Sequence, residues 1–173
     1  HADFLLVFMV PFYWMWQDPK VLLFVQTVIV GLGAVPLFWI AKETLKSEKL
    51  AFLFSFLYLL YPAIQHILLH DFHAVALSIT FLIFSYWYMV KRRYGLFVLF
   101  ALLAALGKET TWLVVGWMGL FVGFVQGNRK LGFTLGALGF VMFVFLYWFA
   151  MPGLAPTGRH FALSYLSEFG ESQ

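Results

Sequence analysis

The chain has 173 residues, of which 63% are hydrophobic and only 11% are charged, and it contains 22 Phe, 7 Trp and 8 Tyr. Soluble proteins carry about 25% charged residues, so this composition excludes an ordinary soluble domain. The formal net charge of +3 does not indicate nucleic-acid binding, because the basic residues lie in short loops between apolar runs. The chain has no cysteine, so neither disulfides nor a thiolate metal site are expected.

Apolar runs of roughly 14–22 residues, separated by short basic loops, predict an all-α polytopic membrane protein. We expect a bundle of about six membrane-spanning helices and one N-terminal interfacial or re-entrant helix. Its partner is then the lipid bilayer. The sequence begins at His1 without an initiator Met, and no basic region precedes the first apolar run as it would in a signal peptide. We therefore expect residues 1–173 to form a single transmembrane domain within a longer protein.

The first apolar run, residues 3–16, is too short to cross a membrane. About fourteen helical residues reach only ~21 Å, short of the ~30 Å hydrocarbon core. Pro11 also interrupts the run. Tyr13, Trp14 and Trp16 are residue types enriched at the level of the lipid headgroups. We therefore predict an interfacial or re-entrant helix here.

The membrane helices are predicted between residues 19 and 151, and residues 152–173, with several Pro and Gly, form an irregular outer tail. Pro62 is expected to kink or end a helix. Gly31 and Gly33 do not form a dinucleotide loop, since no strand precedes them, and are expected to permit close helix contact. Further glycines at small-xxx-small spacing predict helix packing: Gly116, Gly119, Gly123, Gly132, Gly136 and Gly139.

The basic residues are divided unequally between the two ends of the predicted helices. The larger set is Lys42, Lys46, Lys49, Lys91, Arg92, Arg93, Arg129 and Lys130, and the smaller is Lys20, Lys108 and Arg159. The positive-inside rule places the larger set in the cytoplasm. All five histidines then fall on the outer side, together with Asp71 and Glu109. The ionisable candidates are therefore predicted to face outward.

Residues 65–73, called here the polar segment, contain His66, His70, Asp71 and His73 between long apolar runs. Ionisable groups at membrane depth cost about 2.5–3.5 kcal/mol each, so we interpret the segment as the rim of a polar cavity. The three histidines have helical spacing and, with Asp71, are ligand types that zinc or manganese accepts. Acid–base roles for Asp71 and His73, or a polar loop that only satisfies its own backbone, are the alternatives.

Lys108 and Glu109 lie at the tip of a predicted hairpin, residues 94–126, whose two arms each reach only ~24 Å. The tip is therefore expected below the outer surface, shielded from lipid. Glu109 is a candidate acid, base or metal ligand and Lys108 a candidate phosphate contact, although a simple charge pair in a turn is the alternative. Arg159 and His160 either clamp a phosphate headgroup or contact ordinary lipid phosphates.

Several motifs occur together and in order along nearly the whole chain: His1, Pro11-Phe-Tyr13, Pro19, Gln26, Gly33-Ala-Val-Pro36-Leu-Phe, Tyr61-Pro62, Asp71-Phe72-His73 and Lys108-Glu109. In these motifs the chain resembles an uncharacterised family of predicted membrane proteins of bacteria and archaea, the domain of unknown function 2079. That family is placed near the GT-C glycosyltransferases. The Asp-Phe-His and Lys-Glu pieces are the most specific parts of the likeness.

The resemblance implies a membrane-embedded glycosyltransferase-like protein, which uses a polyprenyl-phosphate-linked sugar on the outer face of the cell membrane. Residues 1–16 would be the end of a long outer loop, and the usual catalytic aspartate would lie upstream of His1. The expected catalytic residues are Asp71, His73 and Glu109, and the expected substrate or phosphate contacts are Lys108, His70, Arg159, His160 and His1. No cofactor is assigned, and a divalent metal stays open.

Two other functions fit the same residues. A transporter or flippase would use Asp71, Glu109 and the histidines to carry protons or bind solute, and would need a midplane site with alternating access. A non-catalytic membrane assembly subunit would instead have a closed interior without water.

Overall fold

A computed structural model gives the structure of the chain and describes residues 4–69 and 72–151. These residues form helices joined by short connections, and no strand occurs among them. The predicted all-α class is therefore confirmed for the described chain. The chain divides into two compact units, one ending at Lys108 and one beginning at Glu109.

The first unit opens with a short 3₁₀ segment, Phe4–Met9, and α1 (Val10–Met15). Six longer helices follow: α2 (Lys20–Leu32), α3 (Ala34–Leu45), α4 (Glu48–Leu60), α5 (Pro62–Leu69), α6 (Ala74–Val90) and α7 (Tyr94–Ala105). α2 and α3 continue one another, because Gly33 keeps right-handed helical angles of φ −60° and ψ −22°. Pro19 occupies the N-cap of α2, where its missing N–H costs nothing.

The N-terminal segment is fixed to the first unit along one side. Leu5 and Met9 are buried, and the Leu5 N–H donates to the carbonyl of Leu106 at 3.1 Å. The opposite side is exposed, with Trp14 80% accessible. The short helix predicted for residues 3–16 is confirmed, while its place at the membrane interface stays a prediction. The buried side packs on α2 and α6 through Val21, Val25, Ala74 and Leu77.

The second unit contains a helical hairpin of α8 (Thr111–Phe124) and α9 (Arg129–Phe145), and a π-helical turn, Leu146–Ala150, extends α9. Gly127, with φ at +82°, makes the left-handed turn between the two helices. A Cβ added to Gly119 would lie 2.6 Å from the backbone N of Gly136. One added to Gly139 would lie 2.6 Å from the Cα of Gly116. The predicted glycine packing is confirmed.

Two of the described helical stretches are long and apolar enough to cross a membrane, Lys20–Leu45 with 26 residues and Arg129–Ala150 with 22. A third is possible only if Glu48–Leu60 and Pro62–Leu69, bent by 42°, form one span. The bend confirms the prediction for Pro62, which lacks an amide hydrogen. α6, α7 and α8 are apolar but have only 17, 12 and 14 residues. The predicted bundle of about six spans is not confirmed, since a full crossing takes about 20 residues.

Candidate functional site

A buried glutamine on α2 forms hydrogen bonds to the backbone at two points of the polar segment, Ile67 and His73. Gln26 is 0% exposed. Its Nε2 donates to the carbonyl of Ile67 at 3.1 Å, and its Oε1 accepts from the backbone N–H of His73 at 2.8 Å. α5 ends at Leu69 and α6 begins at Ala74, so this one side chain links the end of one helix to the start of the next. We call this arrangement the Gln26 clamp.

The clamp supplies hydrogen-bond partners to backbone groups at the ends of two helices. The last carbonyl groups of a helix and the residue before the next helix have no partner within the helices themselves. In an apolar environment each such group is expensive. The primary amide of Gln26 carries N–H donors on its nitrogen and an acceptor oxygen, and the clamp uses one N–H and the oxygen. The backbone on either side of residues 68–72 is thereby fixed to α2.

His73 combines a fixed backbone with an exposed side chain. It is the N-cap of α6 in an extended conformation, φ −130° and ψ 112°, and its carbonyl accepts from the Ala76 N–H at 2.9 Å. Phe72 packs against the core formed with Leu5 and Val21. The imidazole of His73 is exposed. The geometry thus presents a titratable side chain on an anchored backbone.

The helical face suggested for the three histidines of the polar segment does not extend from His66 to His73. His66 lies on α5, which ends at Leu69, whereas His73 is extended. Among residues 4–69 and 72–151, no group of three or more His, Asp or Glu side chains is placed to hold a metal ion. His70 and Asp71 lie outside the described residues, so a metal site that includes them stays a prediction.

A second set of hydrogen bonds fixes α2 to α4 and α6. The Tyr58 hydroxyl donates to the Val30 carbonyl at 2.9 Å, and the Thr80 hydroxyl donates to the Ile29 carbonyl at 2.8 Å. A Cβ on Gly33 would lie 2.5 Å from the Tyr58 oxygen, so only glycine leaves room for these bonds. The close contact predicted for the two glycines is therefore confirmed for Gly33. It is wrong for Gly31, where an added Cβ would meet no atom of the described residues within 4 Å outside its own helix.

The boundary between the two units falls, along the sequence, between the candidates Lys108 and Glu109. Lys108 is the last residue of the first unit and is partly exposed. Glu109 is only 4% exposed. Its backbone carbonyl accepts from the backbone N–H of Trp112 at 3.3 Å. A carboxyl group buried in a chain of this composition is a candidate functional group in its own right.

Trp112 was missed by sequence reasoning. It is 7% exposed, and its indole N–H has no hydrogen-bond acceptor among the described residues. Its signal was its position three residues after an acidic residue at the tip of a short hairpin. Aromatic residues are so common in this chain that the spacing did not stand out.

The other sequence candidates are His1, His70, Asp71, Arg159 and His160. All five lie outside the described residues, and their assigned roles stay predictions.

An apolar cavity of about 590 Å³ lies between α1 and α2. Phe12 and Trp16 line it from one side, and residues of α2 line it from the other: Val21, Phe24, Val25, Val28 and Ile29. Its volume is within the range of about 300–1,000 Å³ typical of small-molecule sites. Its lining suits a hydrocarbon chain and not a sugar.

Long apolar helices, joined by buried polar contacts and by close glycine packing, define an α-helical membrane protein. A family model described as "Predicted membrane protein (DUF2079)" matches residues 1–173, and the chain belongs to this family. The resemblance seen in the sequence motifs is thereby confirmed at the level of the family. No curated protein and no solved structure matches the chain.

Proposed function

We propose that the chain is part of a membrane-embedded glycosyltransferase-like protein, which transfers a sugar from a polyprenyl-phosphate donor on the outer face of the cell membrane. The observation that carries the proposal is the Gln26 clamp. The fully buried side chain of Gln26 fixes the backbone of His73 and of Ile67, on either side of Asp71 in the sequence. Reactive groups need such support, because catalytic geometry must be held to about 0.5 Å.

The proposed topology follows from the charge distribution. We propose about six crossings, in which α6, α7 and α8 are short or tilted spans, with residues 1–16 at the outer interface. The basic loops lie in the cytoplasm by the positive-inside rule. The polar segment and the tip formed by Lys108 and Glu109 then lie on the outer side.

The proposed chemistry is displacement at the anomeric carbon of the donor sugar. Asp71 or Glu109 takes the proton from an acceptor hydroxyl, whose oxygen forms the new bond to the anomeric carbon. The bond from that carbon to the phosphate oxygen breaks, and polyprenyl phosphate leaves. His73 is a second acid–base candidate, and the phosphate is stabilised by cationic groups: Lys108, His70, Arg159, His160 and His1.

The apolar cavity between α1 and α2 supports a lipid-linked donor. It is lined by hydrocarbon and aromatic surface throughout, which matches an isoprenoid chain. Lys20, the residue before Val21 of the lining, has an 80% exposed side chain whose ammonium lies 4.0 Å from Asp18. In the proposal its charge attracts the phosphate of the donor.

The test uses the full-length protein in proteoliposomes with radiolabelled polyprenyl-phosphate glucose, galactose and mannose. We expect sugar transfer to fall about 10²–10⁴-fold in whichever of Asp71→Asn and Glu109→Gln removes the base. His66→Asn is the matched control, because His66 is exposed on α5 and is neither a proposed catalytic residue nor a proposed phosphate contact. Assays with EDTA, and with added Mg²⁺ or Mn²⁺, decide the metal question. Undiminished transfer in both carboxyl variants would remove them from the mechanism.

One observation favours a transporter or flippase as the second candidate. The 42° break between α4 and α5 resembles the interrupted helices with which transporters build binding sites. The same proteoliposomes distinguish the two functions. Movement of a fluorescent polyprenyl phosphate across the bilayer, without transfer of sugar, would support transport. Neither movement nor transfer would leave an assembly subunit.

A further inference from the structure

The indole N–H of Trp112 is a buried hydrogen-bond donor without an acceptor among the described residues. Trp112 lies in the first turn of α8 and is 7% exposed. Leaving a buried donor unsatisfied destabilises the folded protein, because the lost hydrogen bond to water is not replaced. Native proteins retain few such groups, and those retained commonly face a water, an ion or a ligand. The donor therefore indicates a place where an acceptor binds.

Glu109 lies on the same turn. The backbone N–H of Trp112 donates to the backbone carbonyl of Glu109 at 3.3 Å. Side chains three residues apart in such a turn emerge on the same side. The Glu109 side chain is also buried, at 4% exposure. A Cβ on Gly139 would lie 2.6 Å from the Trp112 carbonyl oxygen, so the backbone of α9 lies directly against this turn. A donor and an acidic group are thus held together on one fixed element.

We propose that the Trp112 indole N–H donates a hydrogen bond to a hydroxyl oxygen of the transferred sugar, while that hydroxyl group donates to the Glu109 carboxylate. This inference rests on the proposed function, in which it leaves Asp71 as the base for the acceptor hydroxyl, and it adds the residue that recognises the sugar. A group bound by both side chains must accept one hydrogen bond and donate another, which a hydroxyl does. A phosphate is disfavoured by the neighbouring carboxylate, and an isoprenoid chain offers neither bond.

The first experiment compares two probes on the full-length protein in nanodiscs. Polyprenyl-phosphate glucose, galactose and mannose carry hydroxyl groups, and polyprenyl phosphate alone does not carry a sugar. Trp112→Phe keeps an aromatic ring but removes the N–H. We expect about threefold to tenfold weaker binding of the preferred sugar donor and unchanged binding of polyprenyl phosphate. Trp117→Phe, on the same helix but 62% exposed, is the matched control and should change neither.

The second experiment observes the indole directly and does not depend on how the variant folds. The Trp112 indole N–H resonance, assigned in the ¹⁵N-labelled wild-type protein, should move downfield on addition of the sugar donor and stay in place with polyprenyl phosphate. A downfield shift with both probes, or equal weakening of both in Trp112→Phe, would mean that the residue does not recognise the sugar.

The two proposals fail in different ways. If the wild-type protein binds and transfers sugar while the Trp112 resonance does not move, the indole bonds to a structural water at most. The inference then falls and the glycosyltransferase function stands. If the wild-type protein binds no polyprenyl-phosphate sugar, the function falls and takes the inference with it.

Discussion

The two units hold their helices together by different means. In the first unit, polar side chains reach across to backbone carbonyls of neighbouring helices, as Ser78 does to Ala104 at 2.8 Å and Ser55 does to Ala34 at 3.1 Å. In the second unit, α8 and α9 meet through glycine backbone. Between lipid-embedded helices the hydrophobic effect gives little attraction, so hydrogen bonds and close packing remain.

The difference affects what each unit can position. A hydrogen bond from a side chain to a particular carbonyl sets the register of two helices, and in the Gln26 clamp it also sets the end of a loop. Glycine contact brings two backbones together over a long face. The first arrangement suits a site built from loop residues. The second suits a rigid support for one turn, such as that of Glu109 and Trp112.

The largest effect is expected from Gly132→Ala. A Cβ at this position would collide with the backbone N and Cα of Gly123, and backbone atoms cannot move aside as a flexible side chain does. We expect the free energy of unfolding to fall by about 3 kcal/mol, measured by thermal denaturation in detergent. Gly95→Ala is the control, since a Cβ added there would meet no other part of the described chain within 4 Å. Similar losses in both variants would contradict glycine packing of the hairpin.

A smaller loss is expected from Gln26→Leu, which keeps the volume and removes both bonds of the clamp. The His73 N–H and the Ile67 carbonyl lose their partner, so stability should fall by about 2 kcal/mol. Hydrogen exchange at the His73 amide should accelerate as well. Gln65→Leu, at an exposed position on α5, should leave that exchange rate unchanged. An unchanged rate in Gln26→Leu would show that the clamp does not hold the segment.

Tyr58→Phe should cost less, about 1 kcal/mol, the scale of a single hydrogen bond between membrane helices. The substitution removes the hydroxyl that donates to the Val30 carbonyl and also bonds to Thr80, and it leaves the ring in place. Tyr61→Phe, with Tyr61 59% exposed, should have no effect on thermal stability. If the two variants behave alike, polar contacts do not stabilise the first unit.

The smallest effect is expected from Glu43→Gln. Glu43 forms an ion pair with Lys91, in which both side chains are substantially exposed. Water and salt screen such pairs, so the loss should not exceed about 0.5 kcal/mol, and added salt should abolish it. A loss as large as that of Gln26→Leu would mean that surface charge contributes more than the interhelical hydrogen bonds.

Features set by local chemistry could be predicted from the sequence. The bend at Pro62 follows from a missing N–H, and the glycine spacing predicts one packed face on each of α8 and α9. Gly31 and Gly33 show the limit of this reasoning. Both fit the same pattern, but a Cβ on Gly33 would meet Tyr58 and Thr80 of neighbouring helices, whereas one on Gly31 would meet none of the described neighbours.

The candidate site was harder to predict, because its parts are distant in sequence. Gln26 reaches a residue 47 positions away, and nothing local indicates which carbonyl or amide it will meet. Trp112 is one of seven tryptophans, and only its buried indole N–H distinguishes it. The number of spans could not be predicted from the length of the apolar runs alone. An apolar run need not be helical to its end, and α7 ends at Ala105 although Leu106 and Gly107 continue the run.

In the proposed topology, Lys20 at the start of α2 and Lys42 in the last turn of α3 indicate how deep the clamp lies. Lys20 and Lys42 enclose about 21 residues, or ~31 Å of helix, close to the thickness of the hydrocarbon layer. With the two lysines at its boundaries, Gln26 lies ~9 Å below the nearer one. The His73 amide, 2.8 Å from the Gln26 oxygen, is then at acyl-chain depth. A molecule dissolved in one leaflet can approach that level sideways, whereas one dissolved in bulk water must first leave its hydration shell.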